Sequence, residues 1–263
     1  MDDIRQYWNK RAVEAAGEPS ATTNDIYLRT LESTALLNEL RPLFGEKNAR
    51  VLDVGCGDGQ TILSLAAHLP KASFFGVDFS SEMIASAKSN VSRASKTLDV
   101  RFEIGDARAL RDVVGSSKFD VILTNRCLIN ILDRVEQWDA LRQFSDALVP
   151  SGYYFGTENF LGGQNNLNTT RRSVGLPEIP IRWHNNYFEE TEFLAYARRL
   201  FQSVELINFS SAYYFITRCV YSAICQQEKE PMDYNHPIHR VAVKFKPFGD
   251  FSPIKMIRAK KHD

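Results

Sequence analysis

The sequence predicts an α/β fold, a largely parallel sheet with helices over both faces. Three observations carry this reading. Short apolar runs rich in β-branched and aromatic residues recur between residues 50 and 157, each followed by a helical or turn-forming stretch. A Gly-x-Gly-x-Gly turn follows the first run, and an acid follows the second. Strands that alternate with helices of this length pair in parallel through right-handed crossovers, and strands covered on both faces are apolar throughout.

The elements follow in order. Residues 2–17 form an expected helix with Ile4, Tyr7, Trp8, Ala12 and Val13 on its apolar side, ended by Gly17-Glu18-Pro19-Ser20. A second helix starts at Asn24 or Asp25, both good N-caps. It runs to Leu40, with Ile26, Leu28, Leu31, Ala35, Leu36 and Leu40 at helical spacing. Strands are expected at 50–54, 73–77, 100–104, 119–124 and 153–157. Helices are expected at 60–68, 81–95 and 135–148, with a short helical or irregular piece at 107–114.

Beyond residue 157 the rhythm is lost. Residues 159–187 carry Gly162-Gly163, several Asn, Pro177 and Pro180, and read as a long polar connection. A helix at about 189–201 and a strand at 204–209 resume the fold. Residues 211–253 form a second insertion before a final strand at 254–259. Both insertions are expected to cap the carboxyl edge of the sheet. The organisation is a helical segment over 1–45 that closes over the ligand, then one domain over 46–263 with cap insertions at about 159–187 and 211–253.

The chain has 263 residues, 44% of them hydrophobic, enough for one large domain with a lid or at most two small ones. Lys plus Arg and Asp plus Glu each total 32. A protein that grips nucleic acid by its phosphates carries a basic excess, so no nucleic-acid partner is expected, despite local basic spots at Arg171-Arg172 and in the tail. The four cysteines, Cys56, Cys127, Cys219 and Cys225, form no Cys-x-x-Cys pair. His236 and His239 have no further ligands beside them, so no metal is expected. No signal-like start and no apolar run of roughly 20 residues is present. The expectation is a cytoplasmic, soluble protein without membrane insertion, monomer or homodimer.

The chemistry concentrates in Val51-Leu52-Asp53-Val54-Gly55-Cys56-Gly57-Asp58-Gly59, between a strand and a helix. Glycines allow a sharp turn and close approach of backbone to ligand. The helix start offers unpaired N–H groups to a phosphate or carboxylate. Asp78 ends the next strand, where an acid can accept both hydroxyls of a ribose. The spacing differs from the Gly-x-Gly-x-x-Gly of dinucleotide sites.

Here the chain resembles the class I S-adenosylmethionine-dependent methyltransferases of small-molecule, bacterial-like type. The resemblance rests on residues 53–59 and Asp78, then Gly105-Asp106-Ala107, Phe119-Asp120-Val121-Ile122-Leu123-Thr124-Asn125 and Leu148-Val149-Pro150-Ser151-Gly152. It implies a Rossmann-like seven-stranded sheet with the last strand antiparallel, and S-adenosyl-L-methionine as cofactor. It also implies roles. Gly55, Cys56, Gly57 and Gly59 would pass the methionine portion, with Asp53 anchoring the loop or the amino group. Asp78 would hold the ribose, Phe79 or Met83 the adenine face, Asp106 and Ala107 the adenine edge. Asn125 and Arg126 would flank the sulfonium. Trp8 lies on a leading helix like those that close over the cofactor. Tyr27 and Arg29 are candidates to reach its carboxylate.

Methyl transfer is an in-line displacement, so the protein mainly aligns the acceptor and excludes water. A hydroxyl or protonated amine also needs a base, and a carboxylate acceptor needs none. Candidate bases are Glu158, at the end of the fifth strand, and His184. Each has a structural alternative, an ion pair within the cap for Glu158 and a His satisfied by a backbone carbonyl for His184. Asn130, Trp183, Asn185, Tyr187 and Tyr214 are candidate acceptor contacts, and Arg126 and Arg218 candidate anion clamps. The expected function is methyl transfer to a small polar acceptor such as a metabolite or sugar-linked group, at oxygen before nitrogen. An inactive cofactor-binding partner and an RNA or protein methyltransferase are the alternatives.

Overall fold

Seven strands order the molecule: β1 (Arg50–Val54), β2 (Ser73–Asp78), β3 (Val100–Ile104), β4 (Phe119–Asn125), β5 (Leu148–Asn159), β6 (Ser203–Ile207) and β7 (Ile254–Lys260). They form one sheet in the order β3-β2-β1-β4-β5-β7-β6. The structure is a computed structural model that describes residues 2–15, 22–94 and 98–263. The expected break at Gly17-Glu18-Pro19-Ser20 and the expected helix end at Ser95 lie outside the described residues. Strands β1 to β5 pair in parallel, and β7 runs antiparallel to both β5 and β6. Strand β5 is longer than expected because β7 extends its pairing to Glu158↔Lys255 and Asn159↔Ile254.

Both faces of the sheet are buried. Leu52, Val54, Phe75, Ile122 and Tyr154 pack into one core, while Val51, Phe74, Val121, Leu123 and Phe155 pack into the other. Side chains alternate across a strand, so a strand covered on both sides must be apolar at every position. The covering helices are α1 (Asp2–Ala15), α2 (Ile26–Phe44), α3 (Gln60–Ala66), α4 (Ser81–Ser92), α5 (Leu110–Val114), α6 (Arg134–Ala147), α7 (Leu161–Ser173) and α8 (Glu190–Ala197). The segment after β6 holds α9 (Ser211–Tyr214), a π-helical stretch (Phe215–Val220), α10 (Tyr221–Glu228) and α11 (Pro237–Ala242).

Asp25 caps α2 by accepting from the Leu28 N–H at 2.9 Å, as its residue type predicts. Helix α1 rests on α4 through Trp8, Ala12, Ala15 and Met83, and the Ser80 hydroxyl donates to Asn9 at 2.6 Å. No helix among the described residues is long and apolar enough to cross a membrane.

The first insertion departs from expectation. Its polar start is not an irregular connection but helix α7. The buried polar side chains Gln164, Asn168 and Arg171 lie at i, i+4 and i+7, one face of a helix. Gln164 and Asn168 donate to the Ile179 carbonyl at 2.7 and 3.1 Å, and Arg171 Nε donates to the Pro177 carbonyl at 2.8 Å. Gly163 lies where a Cβ would stand 1.8 Å from the Ser252 carbonyl oxygen. The glycine thus permits a close backbone approach, and the buried stripe is polar because it faces the carbonyls of an extended segment.

Candidate active site at the carboxyl edge of the sheet

The order β3-β2-β1 turns back at β4, which leaves a crevice at the carboxyl ends of β1 and β4. A cavity of about 610 Å³ fills this crevice and continues beneath the cap. That is within the ~300–1,000 Å³ of small-molecule sites.

Backbone dictates the first end of the cavity. Gly55, Gly57 and Gly59 take left-handed φ of 73°, 52° and 78°. The Gly55 N–H donates to the Val77 carbonyl at 2.7 Å, which pins the turn to β2. A Cβ on Gly55 would lie 2.6 Å from Cys127 Sγ. Asp78 closes the cradle, its Oδ2 accepting from the Gly57 N–H and its Oδ1 from the Ser80 N–H, both at 2.9 Å. Burial raises Asp78 to about 6 despite these bonds. Asp53 is buried with no hydrogen-bond partner on either oxygen, and burial together with Asp78 raises it to about 7.

Two further polar groups face this end. Arg29 Nη2 donates to Thr22 at 2.7 Å, while its Nη1 is buried without a hydrogen-bond partner among the described residues. Asp106 receives Arg108 through both Nε, at 3.0 Å, and Nη2, at 2.7 Å. Burial works to raise Asp106, but these bonds prevail and hold it below the usual carboxylate range. Phe79, Met83 and Ala107 line the wall between.

The loop after β4 forms the junction between the two ends. Arg126 has φ of 54°, and its Nη2 lies 3.2 Å from Glu32, a fully buried acid on α2. Non-glycine residues in that region are held there by their surroundings, often at functional sites. Asn130 receives the Trp8 indole N–H at 3.2 Å and donates to the Arg126 carbonyl at 2.6 Å. Helix α1 is thereby tied to the junction.

The far end is built by the cap. His184 is 3% exposed, and its ring lies 4.6 Å from Tyr7 and 5.7 Å from Trp8, centroid to centroid. Its Nδ1 is buried without a hydrogen-bond partner. Burial and the nearby Arg182 lower it to about 4, so the ring is neutral at pH 7. Asn185, Tyr187, Tyr214 and Arg218 share this wall.

Several expected site residues sit elsewhere. Glu158 does not line the cavity. It is fully buried and accepts from Thr124 Oγ1 at 2.8 Å and from the N–H groups of Cys127 and Leu128 at 3.1 Å and Ile129 at 3.3 Å. It is neither a base nor an ion pair of the cap; it holds the turn after β4. Its neighbour Asn159 lines the cavity instead, because successive strand residues point to opposite sides. Tyr27 stacks on His239, 6.0 Å between centroids, away from the cavity. Trp183 is 59% exposed and borders His184 from outside. Asp53 and Gly59 support the cradle without opening onto the cavity. Conversely, Asp25, Gln164 and Arg171 line it and were missed as site residues. The i, i+4, i+7 spacing of Gln164, Asn168 and Arg171 was the available signal for the last two.

Glycine φ values without room for a Cβ, an unpaired buried guanidinium N–H and an acid at the end of β2 fit a ligand with a carboxylate at one end and a ribose at the other. Comparison with known proteins gives the same answer. Residues 51–152 match the family described as methyltransferase domain. The chain is 34% identical to an uncharacterized protein of Rickettsia prowazekii over 64% of each chain. It is 27% identical to a malonyl-[acyl-carrier protein] O-methyltransferase of Halalkalibacterium halodurans, over 60% of this chain and 57% of that one. The matched stretch thus spans less than two thirds of these relatives' own length. Among solved structures, the plantazolicin methyltransferase BpumL, in complex with a desmethyl plantazolicin analogue and S-adenosylhomocysteine, has the same fold. It is 15% identical with a TM-score of 0.58, over 100% of this chain and 99% of that one. The match over residues 51–152 and the strand order thus show a methyltransferase domain with the Rossmann-like methyltransferase fold.

Proposed function

We propose that the protein transfers the methyl group of S-adenosylmethionine to a small polar acceptor, at oxygen, inside the capped cavity. One observation carries this reading: a single cavity runs without interruption from the glycine cradle to the cap. The cofactor supplies a methyl group already activated by a sulfonium, and the chain's own residues do the rest. Gly55, Cys56 and Gly57 offer backbone to the methionine portion, and the free Nη1 of Arg29 meets its carboxylate. Asp78 accepts from the ribose on lone pairs left over by its two backbone donors. Phe79 and Met83 cover the adenine face, while Asp106 and Ala107 meet its edge. Asn125, Arg126 and Asn130, which line the cavity between its two ends, would flank the sulfonium end of the cofactor.

On the acceptor side, Asn185, Tyr187 and Tyr214 supply hydrogen bonds. His184 offers Nδ1 as a fixed contact rather than as a strong base, because a ring lowered to about 4 takes a hydroxyl proton poorly. Helix α1 would close the site, tied down by the Trp8–Asn130 bond. The test is calorimetry with S-adenosylmethionine and S-adenosylhomocysteine, then transfer of labelled methyl to a panel of acceptors. Absence of cofactor binding would sink the proposal. Binding without turnover across a broad panel would favour an inactive partner. His184→Ala is expected to lower turnover while cofactor affinity stays within about threefold.

A further inference from the structure

Among the described residues, the end of the cavity beneath the cap contains cations and no available acid. Helix α7 places Arg171 in its wall, 7% exposed. The guanidinium donates through Nε to the Pro177 carbonyl and through Nη1 to the Arg218 carbonyl, both neutral oxygens. Its charged neighbour across the cavity is another cation, Arg218. Arg182 stands exposed at the rim, also without a carboxylate partner among the described residues.

The acids that approach this end are already engaged. Asp25 receives Arg218 Nη2 at 2.5 Å, the Tyr213 hydroxyl at 2.6 Å and the Leu28 N–H. Glu32 receives Arg126, and Glu158 lies under the turn after β4. A buried guanidinium that meets only carbonyls leaves its charge uncompensated, which is costly until an anion arrives.

The same wall has no group suited to remove a proton. His184 is the one imidazole facing this end among the described residues, and burial leaves it a weak base. Burial also pushes the Tyr214 and Tyr187 phenols up, away from the phenolate that a base would require.

Resting on the methyl-transfer reading above, we propose that the acceptor is a small organic acid, held by Arg171 and Arg182 and methylated on a carboxylate oxygen. A carboxylate oxygen then forms the new bond to the methyl carbon as the carbon–sulfur bond breaks, and that electron pair stays on sulfur. The methylated carboxylate becomes a neutral ester group, so the acceptor loses one negative charge, the positive sulfonium becomes a neutral thioether, and no proton moves. Loss of the carboxylate charge also removes its charge-assisted bonds to arginine, which favours product release.

The test uses the full chain saturated with S-adenosylhomocysteine. It is titrated calorimetrically with succinate, glutarate, adipate and phthalate, with the matched diamides, and with inorganic phosphate. At least one diacid is expected to bind, with its diamide and phosphate on the order of tenfold weaker or worse. Arg171→Gln is expected to weaken the diacid on the order of thirtyfold, and exposed Arg182→Gln about threefold, with S-adenosylhomocysteine affinity unchanged. If Arg171→Gln fails to fold, Arg182→Gln and the acid–amide pair decide alone. With S-adenosylmethionine, the methylated product should release methanol in mild alkali, as an ester does. Amides or phosphate binding as well as the diacids, no diacid binding at all, or an alkali-stable product overturns the inference. Failure to bind S-adenosylhomocysteine at the outset is a different result, since it defeats the methyl-transfer reading itself.

Discussion

At the glycine turn of residues 55–59 the cavity wall is set by backbone conformation, whereas in the cap, between residues 159 and 234, it is set by the packing of side chains. The cradle depends on three left-handed glycines, a strand order that opens a crevice, and an acid whose oxygens are held by main-chain N–H groups. The cap depends on Gln164, Arg171, His184 and Arg218, carried by helices and an extended segment that touch across long stretches of chain. Backbone sites are specified by a few residues at fixed spacing and suit a ligand that never varies. Side-chain sites are specified by packing and can be retuned without disturbing the cradle. On the proposed function, the cofactor would belong to the first kind of wall and the acceptor to the second.

The comparison breaks most visibly at two glycines. In Gly55→Ala the new Cβ would collide with Cys127 Sγ at a φ of 73°. Cofactor affinity should fall by at least about a hundredfold, measured by calorimetry, because the turn cannot hold that φ and clear the sulfur. In Gly163→Ala the collision is with the Ser252 carbonyl oxygen. Acceptor turnover should be lost and stability fall by about 1–3 kcal/mol, with S-adenosylhomocysteine affinity kept within about threefold. Loss of cofactor binding in Gly163→Ala would show that the two walls are not independent.

Glu158 gives the next largest effect and tests its reassignment. Glu158→Ala leaves three buried N–H groups, those of Cys127, Leu128 and Ile129, without an acceptor. A loss of about 2–4 kcal/mol is expected in chemical denaturation. A catalytic base would instead lose turnover with stability intact.

A smaller effect follows from the buried acids. Burial is the main cause that raises Asp53 to about 7, Asp78 to about 6 and Glu158 to about 7. Each holds its proton more tightly folded than unfolded. Over the window from about pH 4 to 7 these three acids bind more protons in the native state and make stability fall as pH rises, while His184, lowered to about 4, works the other way and offsets part of that fall. Thermal melts of the cofactor-free protein should show a higher Tm at pH 5 than at pH 7.5, with a difference in stability on the order of 1–3 kcal/mol. Asp53→Asn should flatten that slope. A Tm that rises over the same window would contradict the burial of these groups. The smallest effect belongs to Trp183→Ala, expected within about 0.5 kcal/mol in denaturation because the side chain is mostly exposed.

Much of this was legible without coordinates. The alternation of apolar runs with helices located β1 to β5, whose central members are covered on both faces, and the strands expected at 204–209 and 254–259 fall on β6 and β7. The cradle was legible because its function lies in backbone geometry, which glycine spacing reveals directly. Helix α7 was not, because its polar stripe is stabilised by carbonyls of residues 177 and 179 and by a glycine against Ser252, partners that local pattern does not contain. The role of Glu158 was hidden for a related reason. Its position at the end of β5 suggests the active-site edge, but whether it faces the cavity or the turn depends on the strand's side-chain phase.

By itself, then, the sequence determined the sheet, its cradle and the acid at the end of β2, because local periodicity and fixed spacing dictate them. Tertiary structure alone decided which polar side chains meet at the cap end of the cavity. It tied Asp25 to Arg218 across the chain, buried Glu158 under a turn and left Arg171 facing neutral carbonyls. Charge compensation inside a protein depends on which groups come within a few ångströms of one another, and that is settled only when distant segments pack.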